Sequence, residues 1–110
     1  MIYLTTKNND HSTTKWHIFE VKSIDDEKFT ADEYVIDMKL NYRVSNNDFV
    51  WTKNVVLGQP KKVTKKYNKN QYNDICLRGF GYVRKYDDID TAVSEATKYE
   101  IRSFEKFLLH

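Results

Sequence analysis

Twelve consecutive residues, EYVIDMKLNYRV, constrain this chain more than any others. Tyr34, Ile36, Met38, Leu40, Tyr42 and Val44 alternate with Glu33, Val35, Asp37, Lys39, Asn41 and Arg43. Successive side chains of a strand point to opposite faces, so apolar residues at period two predict an extended strand with one buried face. SNND, residues 45–48, has turn composition, and FVWTKNVVL after it is rich in aromatic and β-branched residues. Together they predict a hairpin. Upstream, KWHIFEVKSI has the same strand-forming character, and DDEKFTAD reads as a polar connection or a short helical turn. Three antiparallel strands are therefore expected. IYL near the start adds at most one short strand.

After Gly58 and Pro60 the pattern weakens. Residues 59–74 have few apolar positions and several turn formers, and read as a basic loop or strand extension. ICLRGFGYVRKY then reads as a further strand. Residues 89–109 predict a C-terminal helix capped by Asp90 or Thr91, with Asp87 and Asp88 complementing the positive end of its dipole. Ile89, Val93, Ala96, Ile101, Phe104, Phe107 and Leu108 form its apolar stripe. The expected fold is a single α+β domain over residues 1–110, an antiparallel sheet of three to five strands with one C-terminal helix packed on a face.

Only three glycines and one proline stand among 110 residues, against sixteen aromatic side chains, the composition of a regular folded chain. Cys76 is the only cysteine, so no internal disulfide can form, and the thiol suits a reducing compartment. MIYLTTKNND lacks the charged-then-apolar pattern of a secretory signal, and no window approaches the ~20 apolar residues of a membrane span. A cytoplasmic protein without a membrane partner is expected.

The net charge of +2 conceals an internal asymmetry. Residues 1–52 sum to −3, residues 53–85 to +8 with Asp74 the single acid, and residues 86–110 to −3. A basic centre between acidic flanks suggests a polyanionic partner. Lysine-rich composition of the kind encoded by AT-rich DNA explains part of the excess but not the near absence of acids between residues 53 and 85.

Within that centre lies RGFGYV. On a strand, alternation would put Arg78, Phe80, Tyr82 and Arg84 on one face, where aromatics stack bases and arginines meet phosphates, and Gly79, Gly81 and Val83 on the other. The residues from Arg78 to Arg84 resemble the first seven positions of the RNP1 element of RNA-recognition motifs, over about twenty residues once the following turn and helix are included. Lys85 stands where that family carries an aromatic, and a β meander precedes the segment where the family alternates strand, helix and strand. RKYDDIDTAVSEA is also similar to the strand, turn and helix of small DNA-binding domains built from three antiparallel strands and one helix. Both resemblances imply nucleic acid, single-stranded RNA or DNA, as the partner. Lys61, Lys62, Lys65, Lys66, Tyr67 and Lys69 would join Arg78, Phe80, Tyr82 and Arg84 in the contact surface.

Two other readings stand beside this one. A protein-interaction module or inhibitor acting on a nucleic-acid-processing enzyme, of the sort phages and mobile elements encode, would use Trp51, Tyr67 and Tyr72 as anchors. A Mg²⁺-dependent nuclease would use Asp26, Asp37 and Lys39, since the last two share a strand face. His11, His17 and His110 lack metal-ligand spacing, and Cys76 has no base partner in the pattern. No metal, cofactor or catalytic residue is expected.

Overall fold

The computed structural model describes residues 1–8, 15–81 and 83–109. In chain order the elements are β1 (Ile2–Lys7), β2 (Trp16–Ile24), β3 (Lys28–Ser45), β4 (Asp48–Leu57), β5 (Lys61–Lys66), β6 (Asn68–Lys69), β7 (Ile75–Cys76), β8 (Arg84–Tyr86) and α1 (Ile89–Leu108). The alternating segment lies within β3, a strand of 18 residues. One edge of β3 pairs antiparallel with β2, from Trp16 opposite Ile36 to Ile24 opposite Phe29. Its other edge is shared by two strands in line, β4 along residues 36–45 and β5 along residues 28–33.

The β3 to β4 hairpin turns on Asn46 and Asn47, at φ 52° and 65°. This left-handed pair is what a two-residue type I′ turn needs, and asparagine tolerates it. Between β4 and β5 the register slips by one residue, for Leu57 faces Ile36 but Lys61 faces Glu33. Gly58 sits at the slip, where its N–H donates to the Val35 carbonyl at 2.8 Å. A Cβ there would stand 3.2 Å from that oxygen.

β1 lies beyond β2, and β8 beyond β1, giving the order β4-β3-β2-β1-β8. The segment expected to add at most a short strand is therefore interior, and Leu4, Thr5 and Thr6 are fully buried. The sheet is covered on both faces along its central strands. On one face Trp16, Ile18 and Ile36 meet Ala92 and Ala96 of α1, whose small side chains let helix and sheet approach closely. On the other, Leu4, Phe19, Phe29 and Ala31 are roofed by Tyr67, Ile75 and Leu77 from the segment between β5 and β8. Phe19 and Phe29 pack edge to face with centroids 5.7 Å apart. Burying rings of this size stabilises the fold by about 2–3 kcal/mol each.

Asp88, and neither Asp90 nor Thr91, caps α1, accepting from the Thr91 N–H at 2.9 Å. The helix begins at Ile89, so Asp88 is the last extended residue and the one able to bend back onto the first turn. Two indole hydrogen bonds then fix the helix to the sheet: Trp16 Nε1 donates to Glu100 at 2.8 Å and Trp51 Nε1 to Glu105 at 2.6 Å. Lys7 pairs with the same Glu100 carboxylate. Among the described residues no helix is long and apolar enough to cross a membrane.

Trp51→Phe keeps an aromatic side chain but removes the indole N–H together with part of the ring, and is expected to cost about 1 kcal/mol or more. Adding Glu105→Gln to that variant should cost less than Glu105→Gln alone, a coupling that denaturant unfolding of the double-mutant cycle measures. A second expectation concerns the turn between β2 and β3. The Asp25 carboxylate accepts from the backbone N–H groups of Glu27 and Lys28 at 2.9 and 2.8 Å, and these donors hold its pKa below the ordinary aspartate value. A depressed folded pKa means that the turn's stabilisation is complete above the unfolded value of about 3.9 and fades as pH falls through the lower folded one. An NMR titration of the Glu27 and Lys28 amides should show a midpoint below that of an ordinary aspartate; a midpoint at or above it contradicts the assignment.

Candidate functional site

The segment read as one strand, ICLRGFGYVRKY, is broken in three. β7 pairs with β6, placing Cys76 opposite Asn68. A tight turn follows, closed by the Phe80 N–H to the Leu77 carbonyl at 3.2 Å, with Gly79 at φ 81°. Glycine is the residue that takes this left-handed conformation at the third position of a type II turn. β8 starts only at Arg84. Arg78, Phe80 and Arg84 therefore do not lie along one strand face.

Phe80 points inward. Its ring stands edge-on to His17 at 5.3 Å and to Phe19 at 6.0 Å. Tyr67 is 6% exposed, with its ring 6.1 Å from Phe29 and its hydroxyl donating to the Asp25 carbonyl. Tyr82 lies outside the described residues. Arg78 is exposed on the turn, whereas Arg84 lies over the Tyr99 ring of α1 at 5.4 Å. Of the described aromatics expected in the contact surface, Tyr67 thus belongs to the core and Phe80 packs half-buried against it, while Arg78 and Arg84 sit on different elements.

The lysines gather on one edge but divide between faces. Lys61 and Lys65 fall on the side of Val63, and Lys62 and Lys66 on the opposite side. Their neighbours across the ladder are largely acidic. Lys61 faces Glu33 and Lys62 faces Asp32, while Lys65 reaches Glu33 at 4.0 Å. Lys22 spans Glu20 and Asp32 at 2.5 and 3.7 Å on the neighbouring strand. Lys66 faces Lys28, and Lys69 is exposed on β6. A shallow recess of about 540 Å³ beside β5 mixes Lys22 and Lys62 with Asp32, Thr30 and Thr64. The acid-poor stretch of sequence has been laid in part against an acidic one.

The nuclease residues are not assembled. Asp37 and Lys39 are exposed neighbours on one face of β3, but Asp26 lies in the turn before β3, on the order of 30 Å away at a strand's rise per residue. Among the described residues no three His, Cys, Asp or Glu side chains converge as a metal site would require.

The feature that sequence reasoning passed over is the far end of β3. Beyond Ile36, among the described residues, β3 and β4 run on as a two-stranded arm. Its inner face carries Met38, Leu40, Tyr42 and Val44 beside Phe49, Trp51 and Val55. Tyr42 packs on Phe49 and on Trp51, with centroids 5.4 Å apart in each case, and Phe104 of α1 stands 6.3 Å from Tyr42 and 6.0 Å from Trp51. The helix covers this face only in part: Tyr42 is 42%, Phe104 49% and Phe107 78% exposed. Between arm and helix lies a cleft of about 280 Å³ lined by Trp16, Met38, Leu40, Trp51 and Phe104, with Glu100 at its side. The period-two pattern announced this apolar face, but periodicity carries no information on how far the helix would reach along it.

In comparisons with known protein families, with curated proteins and with solved structures, this chain matches none.

Phe80→Ala is expected to destabilise the fold by about 2 kcal/mol or more, because it empties a place against Phe19 and His17. Arg78→Ala should stay within about 0.5 kcal/mol of wild type. Equal effects of the two in thermal or denaturant unfolding would contradict the inward placement of Phe80.

Proposed function

We propose that this protein is a non-catalytic binding module that recognises another protein by adding a strand to the outer edge of β4, with the aromatic arm as its anchor. The observation that carries this reading is an open ten-residue edge, unpaired among the described residues, beside an exposed aromatic cluster. Open edges recruit strands from other chains, and folds blunt those that must stay single with lysines and prolines. β5 is blunted in this way: four of its six residues are lysines, and Pro60 precedes it. β4 on the same side of β3 has only Lys53 and no proline. Tyr and Trp are common interface anchors, which suits Tyr42 and Trp51.

One observation favours a second reading. Lys61, Lys62, Lys66 and Lys69 make no ion pair within 4.0 Å among the described residues, so β5 could attract the phosphates of single-stranded RNA or DNA. With Phe80 and Tyr67 in the core, such binding would rest on charge without base stacking and would discriminate sequence weakly.

One titration separates the two. Isotope-labelled protein is mixed with an extended peptide of alternating valine and threonine, and in parallel with a single-stranded oligonucleotide at several salt concentrations. The strand-addition reading expects the peptide to shift the Trp51, Lys53 and Val55 amides and to slow their hydrogen exchange. An unresponsive β4 defeats it. Salt-sensitive shifts at Lys62 and Lys66 with the oligonucleotide would establish the second reading in its place.

A further inference from the structure

We infer that the strand added to β4 is β4 of a second copy of this chain, paired antiparallel about a two-fold axis at Thr52; the inference rests on the strand-addition reading. In a two-residue hairpin the residues flanking the turn, here Ser45 and Asp48, exchange backbone hydrogen bonds. Alternation then directs the backbone groups of Asp48, Val50, Thr52, Asn54 and Val56 toward β3. The Gly58 N–H continues that series by donating to Val35. Phe49, Trp51, Lys53, Val55 and Leu57 are left with their N–H and C=O groups aimed at the free edge.

A two-fold axis through an antiparallel pair must set one residue opposite itself. Two centres, Thr52 and Lys53, pair nine of the ten residues of β4. Centring on Lys53 would oppose two lysines, which destabilises a ladder. Centring on Thr52 sets threonine against threonine, a favourable cross-strand pair, and sets Trp51 against Lys53 of the second copy and Phe49 against Val55 of the second copy. This register aligns the outward backbone groups of both strands. Because the axis stands perpendicular to the sheet, the exposed faces bearing Tyr42, Trp51 and Phe104 come side by side on one face of the continuous sheet. The one-residue slip at Gly58 ends the pairing before the lysines of β5 begin.

Thr52 is exposed, so it can be changed without touching the core. By light scattering or sedimentation the wild type should have twice the 13.2 kDa mass of the chain. Thr52→Glu and Thr52→Lys should each fall to 13.2 kDa, since each places like charges on the axis. An equimolar mixture of the two should regain the doubled mass, with circular dichroism unchanged throughout. A wild-type monomer, a Thr52→Glu protein that dimerises as well as wild type, or a mixture that stays monomeric overturns the proposal. A wild-type monomer whose β4 amides still respond to the valine and threonine peptide overturns the second copy alone. A monomer with an unresponsive β4 overturns the strand-addition reading as well.

Discussion

β3 is longer than any single neighbour can serve. Its 18 residues need hydrogen-bond partners on both edges, and β2 accounts for one edge only as far as Ile36. The other edge requires two strands end to end, so the chain returns along β4 and continues as β5 after a one-residue slip. Past Ile36 the sheet, among the described residues, thins to a two-stranded ribbon, and a ribbon of two strands is marginally stable in water by itself. The C-terminal half of α1 supplies what is missing, through the Trp51 to Glu105 hydrogen bond and the contact of Phe104 with Tyr42 and Trp51. One long strand thus dictates the path of its partners, the reach of the helix and the location of the exposed aromatic face.

What could be read beforehand was local. The strand from Tyr34 to Val44, the turn at Asn46 and Asn47 and the helix after Asp88 are each decided within a few residues, and each is found in the structure, although the helix buries Ala92, Ala96 and Thr97 and leaves Phe107 of its expected stripe exposed. What could not be read depends on partners far along the chain. β1 is interior because β8 arrives some eighty residues later to pair with it, and its buried Thr5 and Thr6 disguise the strand as polar. Phe80 is bridged to Asn8 and turned in against His17 by a glycine conformation that no alternation pattern encodes. The resemblance of RGFGYV to a nucleic-acid element therefore described a string of residue types, while the backbone at Gly79 decides which way they face.

Charge summed along the sequence leaves out pairing for a related reason. Adding charges along a segment treats the segment as a surface, yet antiparallel pairing juxtaposes segments of different sign. Lys61 and Lys62 come to lie across from Glu33 and Asp32, so part of the apparent basic centre stands opposite acidic side chains in the ladder. The same lysines also keep an exposed edge from pairing. They therefore have a structural explanation whether or not any polyanion binds there.

The ladder between β1 and β8, with Tyr3 opposite Tyr86 and Thr5 opposite Arg84, has a consequence in time. The hairpins joining β2, β3 and β4 bring together residues near one another in sequence and can form early, because short loops are inexpensive to close. β1 and β8 can meet only after nearly the whole intervening chain has been gathered in. Until that closure the fully buried row of Leu4, Thr5 and Thr6 lies along an open strand edge. Sealing this seam therefore closes the longest loop in the sheet, and carries a larger chain-entropy cost than any of the hairpins.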